Sequence, residues 1–324
     1  MFSFFKIIAL LMGAAFAFLW VTGTSLLLFR PRAQTVSTPE TKRIKYTDDK
    51  IKAPDGTTIK YWLLKGFLGS GDAAQAIAAG KDPNSGNSRR EAWQDRPMVI
   101  LLHGIGMERS RYLEEAQFIL EEGYACVIPD MRCHGLSGGY ITTLGAVERA
   151  DTVALMKHLQ KSYGIEKFIL WGFSLGGTTS ILAAADSNLV SAVIADSPFD
   201  TYSSVALTTA RHWFGPVPAF IIDLCVSTAG VLGGFDPESV NCIKAAAKLG
   251  DRPTLLIVGE KDPRAPEWMA DNIIRGAEGA SSNEDESSET DISKWVVPEA
   301  QHVEAWSTDK DTYKEKILEI LNRL

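Results

Sequence analysis

Cysteine and histidine are both scarce in this sequence, and each scarcity narrows the field. The four cysteines, Cys126, Cys133, Cys225 and Cys242, include no C-x-x-C pair. Neither a dense disulfide framework nor a cysteine-built metal site is therefore expected, and the four read as small buried hydrophobes. Basic runs interleaved with aromatics are missing too, which leaves nucleic-acid binding without its electrostatic footprint. No internal repeat is evident. Nor is the chain poor in apolar residues: 45% of its 324 residues are hydrophobic, enough for a substantial core and far from a disordered composition. The formal charge of −7 is a local matter, because residues 276–291 hold six acids and no base and the remainder is close to neutral. That stretch reads as a solvated loop.

One long hydrophobic run is present. Between Lys6 and Arg30 lie 23 uncharged residues, IIALLMGAAFAFLWVTGTSLLLF, which as a helix rising 1.5 Å per residue would cross a bilayer core of roughly 30 Å. Residues 1–30 are expected to form a single-pass membrane anchor. A cleaved signal peptide, with a secreted product, competes through the small-residue AFA at 15–17, but the apolar run continues well past it. Arg30, Arg32, Lys42, Arg43 and Lys45 favour a cytoplasmic domain.

Beyond the run, RIKYTDD and TTIKYWLLKG alternate apolar and polar residues around APDG and predict an antiparallel hairpin. Residues 66–96 predict a flexible excursion, with a short helix in DAAQAIAAG. From Met98 onward, short apolar strands (MVILLHG, YACVIPD, KFILWG, VSAVIADS, PTLLIVG, KWVVPEA) alternate with amphipathic helical segments. That rhythm predicts an α/β fold, a mostly parallel sheet covered on both faces. Residues 199–250 interrupt it with apolar, aromatic helical sequence suited to a small cap.

Chemistry enters at Ser174. In ILWGFSLGGTTSI it stands between Gly172 and Gly176, where a strand gives way to a helix. This Gly-x-Ser-x-Gly pattern in that context is a nucleophile elbow, a tight turn that presents a hydroxyl above the sheet. A serine nucleophile needs a base, and the base needs an orienting acid. Of the five histidines, His158 falls within a helix and His212 in the cap, while His103 and His134 sit in loops they are expected to shape. His302, directly after the last strand, is the candidate base. Asp262, three residues after the seventh strand, is the preferred acid because it completes the order Ser, Asp, His; Asp130, Asp196 and Asp200 are rivals. The amides of Ile105 and Leu175 are placed to serve as an oxyanion hole. In the cap, Trp213, Phe214, Phe220, Ile221 and Ile222 either receive an apolar acyl group or merely pack on the body.

The motifs LLHGIG, DMRCHGLSGG, GFSLGG, IADSPF, VGEKDPRAP and QHVEAW, in that order, resemble the α/β-hydrolase superfamily, in particular its Bem46-like and serine-aminopeptidase-like branch. The likeness runs from about Ile44 to the C-terminus. It departs at Cys133, where that branch usually has glycine. It implies an eight-stranded, mostly parallel sheet with a helical cap in a domain spanning 44–324. It also implies a serine hydrolase acting through an acyl-enzyme, with Ser174, Asp262 and His302 as triad, no metal or organic cofactor, and a small ester or acyl compound as substrate. A peptidase or aminopeptidase, an acyltransferase and a non-catalytic tethered binding protein are the alternatives.

Overall fold

The computed structural model describes residues 2–29, 31–65, 92–281 and 290–324. Of the two predicted excursions, residues 66–91, with the DAAQAIAAG helix, and 282–289 lie outside the described residues; 276–281, expected as part of the acidic loop, instead end a helix and bury Ala277. Eight strands form one sheet in the order β1-β2-β4-β3-β5-β6-β7-β8. Strands β1 (Tyr46–Lys52) and β2 (Thr58–Leu64) form the predicted hairpin, turning at Gly56, which has φ +83°. Strand β2 also runs antiparallel to β4 (Cys126–Pro129). All other neighbours are parallel: β3 (Met98–Leu102) with β4 and β5 (Phe168–Phe173), then β6 (Val190–Asp196), β7 (Thr254–Gly259) and β8 (Ile292–Val297) in turn. This is the α/β-hydrolase fold that the motif order implied.

The apolar strands explain their own placement. Every residue of β3, β4, β5 and β7 is buried, so each strand must be covered on both sides. Alternate side chains point to opposite faces. Val99, Leu101, Ile169 and Trp171 therefore pack with α2 (Leu113–Glu121) and α10 (Lys310–Leu321), the latter preceded by the short α9 (Ala305–Thr308). Ile100, Leu102 and Leu170 pack instead with α3 (Glu148–Tyr163), α4 (Leu175–Ala185) and α8 (Glu267–Ser281). Helix α4 lies deepest; all but Ala185 of its residues are buried.

The interval expected to interrupt the sheet holds α5 (Tyr202–Phe214), α6 (Ala219–Gly233) and the short α7 (Cys242–Ala246). Thr201 caps α5, its hydroxyl accepting the Ser204 N–H at 3.2 Å.

The N-terminal run is helical, α1 (Phe2–Leu28), but its C-terminal half is docked on the domain. The Trp20 indole N–H donates to Thr228 Oγ1 of α6 at 3.0 Å. Gly23 meets α6 so closely that a Cβ there would lie 2.8 Å from Cys225 Sγ. The Leu28 carbonyl accepts the Thr142 N–H at 3.0 Å. Among the described residues no helix is long and apolar enough to cross a membrane. The docked contacts belong to residues 20–28, while Leu10, Met12, Phe18 and Val21 are exposed, so the packing of this half leaves the expected membrane anchor untested.

Candidate active site

The turn between β5 and α4 shows why two glycines flank the serine. Ser174 adopts φ +51° and ψ −111°, a conformation costly for any residue with a Cβ. A Cβ on Gly172 would lie 2.0 Å from the Gly176 carbonyl oxygen, and one on Gly176 would lie 1.9 Å from that of Leu102. The chain can close this turn only where both side chains are absent. The Ser174 N–H donates to the Asp196 carbonyl at 2.7 Å, tying the elbow to β6.

Three side chains distant in sequence meet here. His302 Nε2 lies 2.8 Å from Ser174 Oγ, and His302 Nδ1 lies 2.7 Å from Asp262 Oδ2. Asp262 Oδ1 is occupied by the N–H groups of Arg264 and Ala265, both at 2.9 Å, so the carboxylate is fixed with one oxygen directed at the imidazole. Burial pushes the Asp262 carboxyl toward the neutral form. The hydrogen bond and charge of His302 and the two amides outweigh that and hold it below its ordinary value. With Nδ1–H donating to Asp262, Nε2 is left to accept the serine hydroxyl proton.

The rival acids are engaged elsewhere. Asp130 accepts the Arg109 and Leu136 N–H groups at 2.9 Å each and lies 3.4 Å from the Arg109 guanidinium. Asp200 accepts the Thr201 N–H and the Asn272 amide, both at 2.7 Å. Asp196 is fully buried and accepts from Ser197 and Tyr313, each at 3.0 Å. The Ser197 hydroxyl in turn accepts the Val303 N–H at 3.0 Å, and Trp171 donates to the Tyr313 hydroxyl at 3.2 Å. A chain of hydrogen bonds thus runs behind the His302 loop.

The two loop histidines brace the segment before Ser174. His103 accepts the Met131 N–H at 2.9 Å and donates to its neighbour's carbonyl, Gly104 O, at 2.8 Å. Burial pushes its pKa down to about 3, so it stays neutral. His134 accepts the Gly106 N–H at 3.0 Å. Between these contacts sits Ile105, whose N–H is given to no acceptor among the described residues. The same holds for Leu175, the first residue of α4, where the helix dipole favours negative charge. His158 lies beside the Tyr61 hydroxyl and His212 packs edge-on against Trp213, both away from the serine. Cys133, in place of the glycine usual in the resembled branch, has φ +65°; the loop retains a left-handed turn at that position.

A cavity of about 670 Å³ opens over Ser174 and His302. Trp213, Phe214 and Ile222 line it, Trp213 and Phe214 remaining 66% and 64% exposed. Phe220 and Ile221 do not line it. What the sequence reading missed is the N-terminal contribution to the lining: Gly23, Leu26 and Leu27 of α1, followed by Pro31, Arg32 and Ala33. The interruption of the apolar run by Thr22, Gly23, Thr24 and Ser25 was the available signal, since small polar residues mark where a helix approaches another closely. The Arg32 guanidinium holds this segment down by donating to the main-chain carbonyls of Gly135, Ser137 and Gly139. Arg264 also lines the cavity and was not foreseen.

The fold agrees with the comparisons. A family model described as alpha/beta hydrolase fold matches residues 97–221. Among curated proteins, the chain is 22% identical to the uncharacterized protein YqkD of Bacillus subtilis, over 70% of this chain and 71% of that one. It is 37% identical to the monoglyceride lipase homolog of Monkeypox virus, over 32% of this chain and 38% of the viral protein. Among solved structures, the Pyrococcus furiosus esterase Pf2001 superposes with a TM-score of 0.68 at 22% identity, covering 92% of this chain and 98% of the esterase. The molecule is an α/β-hydrolase-fold protein with esterase-like relatives.

Proposed function

We propose that this protein is a serine hydrolase that cleaves a small-molecule ester through an acyl-enzyme on Ser174. The observation that carries the reading is the hydrogen-bonded line from Ser174 Oγ through the His302 imidazole to Asp262. In the proposed cycle His302 Nε2 takes the serine proton as Oγ bonds to the substrate carbonyl carbon. The resulting oxyanion is met by the N–H groups of Ile105 and Leu175; loss of one such donor raises a barrier by about 3 kcal/mol. The C–O bond to the leaving alcohol then breaks, and His302 gives the alkoxide its proton. Water repeats the sequence on the acyl-serine and releases the acid. Asp262 steadies the imidazolium in both halves. No step needs a metal or an organic cofactor.

Helices α5 and α6 act in this reading as a cap, with Trp213 and Phe214 at the mouth and Ile222, Leu26 and Leu27 as the wall for an apolar acyl chain. The character of the lining speaks against an aminopeptidase: among the described lining residues there is no carboxylate to clamp a substrate amine. A membrane location is supported by the composition of residues 7–29 and by the exposed apolar side chains Leu10, Met12, Phe18 and Val21; alkaline extraction of membranes from cells making the full chain tests it.

A fluorophosphonate probe is expected to label the wild-type protein, and Ser174→Ala to abolish labelling and lower ester turnover by several orders of magnitude. Unlabelled, folded wild-type protein would remove the proposal.

A further inference from the structure

Arg264 stands two residues beyond Asp262, and its backbone is pinned on both sides. Its N–H donates to Asp262 Oδ1 at 2.9 Å and its carbonyl accepts the Thr208 hydroxyl of α5 at 2.5 Å. Arg264 lines the cavity over Ser174 and is partly buried. Among the described residues its guanidinium makes no hydrogen bond and no ion pair. The other arginine of the cavity, Arg32, is committed to three main-chain carbonyls, and no described lining residue is acidic. Among the described residues, then, a largely apolar chamber holds in Arg264 a cation with no hydrogen bond or ion pair, in the same cavity as Ser174.

Partial withdrawal of a cation from water is unfavourable, and burial lowers the Arg264 pKa against the opposing charge of Asp262, whose oxygens are already taken by His302 and two amides. Such a group is best accounted for by an anion that arrives with the ligand, since guanidinium offers a planar fork matched to carboxylate and phosphate oxygens. Resting on the esterase reading of this site, we propose that Arg264 is a specificity determinant that recognises an anionic group, carboxylate or phosphate, on an ester whose remaining portion occupies the apolar wall. The cavity volume of about 670 Å³ is within the range that takes a whole small ligand, so the anion and the scissile bond fit in one chamber.

The test separates recognition from turnover. Binding to Ser174→Ala protein is measured by calorimetry for monobutyl glutarate, butyl phosphate and the neutral butyl methyl glutarate. One of the two anions is expected to bind at least about tenfold more tightly than the neutral diester, the energy scale of one charge-assisted hydrogen bond. That preference should vanish in Ser174→Ala/Arg264→Gln and return in part in Ser174→Ala/Arg264→Lys. The tighter anion tells carboxylate from phosphate. Equal binding of all three ligands, or an anion preference that survives Arg264→Gln, overturns the assignment. In parallel, the ratio of kcat/KM for an activated glutarate monoester over the matching neutral ester is compared in wild type and Arg264→Gln, a ratio independent of the active fraction. Anion preference in binding with no turnover of either ester would sink the hydrolase reading and leave Arg264 as an anion site. Turnover without that preference would do the reverse.

Discussion

At the scale of single residues, the site depends on removing side chains as much as on placing them. Gly172 and Gly176 let three backbone segments close to within distances no Cβ permits, and that closure forces Ser174 to positive φ. The strain is held by hydrogen bonds on either side, Ser174 N–H to Asp196 O and Thr178 N–H to Ser174 O. Asp262 illustrates a different residue-level device, a buried carboxylate kept ionised by two amides and an imidazole. Asp262→Asn preserves its shape but favours the imidazole tautomer with the proton on Nε2, which cannot accept from serine. We expect kcat on a chromogenic ester to fall by about three to four orders of magnitude with the fold intact by circular dichroism. A loss of less than tenfold would show that this carboxylate does not orient the base. Ser174, Asp262 and His302 were singled out from sequence because each falls within a few residues of the end of a recognisable strand. Arg264 was not, because a lone arginine beside a proline has no pattern; only its unpaired position in the cavity distinguishes it.

At the scale of elements, α1 is the surprise. Its composition is that of a membrane span, yet Trp20 and Gly23 pack on α6, and Gly23, Leu26 and Leu27 line the cavity. The tight fit at Gly23 against Cys225 explains the small residues in mid-run. If this wall receives an acyl chain, filling it should shorten the chain accepted. Leu27→Trp is expected to lower kcat/KM for esters of ten or more carbons by about tenfold relative to butyrate, since each methylene excluded from an apolar pocket carries a sizeable share of discrimination. An unchanged chain-length profile would mean that α1 does not touch the acyl group. Hairpin β1–β2 and the parallel strands, by contrast, were legible from alternation and short apolar runs, which are local signals.

At the scale of the whole molecule, the C-terminal helix is coupled to the catalytic loop through buried polar groups. The line Trp171, Tyr313, Asp196, Ser197, Val303 crosses from α10 through β6 to the residue after His302. Burial pushes Asp196 up to about 7 from an ordinary 3.8, only partly offset by the Ser197 and Tyr313 hydroxyls. The unfolded chain releases this proton near its ordinary value while the folded protein keeps it to about 7. Between those limits the unfolded state binds fewer protons, so this group's contribution to stability declines as pH rises through the window and levels off above it. Asp196→Asn should remove that decline. Urea unfolding from pH 4 to 8 is expected to show a flatter stability profile for the variant than for wild type, and parallel profiles would disprove the assignment.

Local pattern in the chain was sufficient for the strands, the hairpin, the serine elbow and the order of the motifs, because burial on one or both faces of a sheet imposes a short-range period on residue choice. It could not decide which surface the apolar N-terminal helix covers, or that Arg264 lines a cavity with no acid among its described lining residues. Those outcomes depend on contacts between segments distant along the chain, such as Trp20 with Thr228, and only the folded packing fixes them.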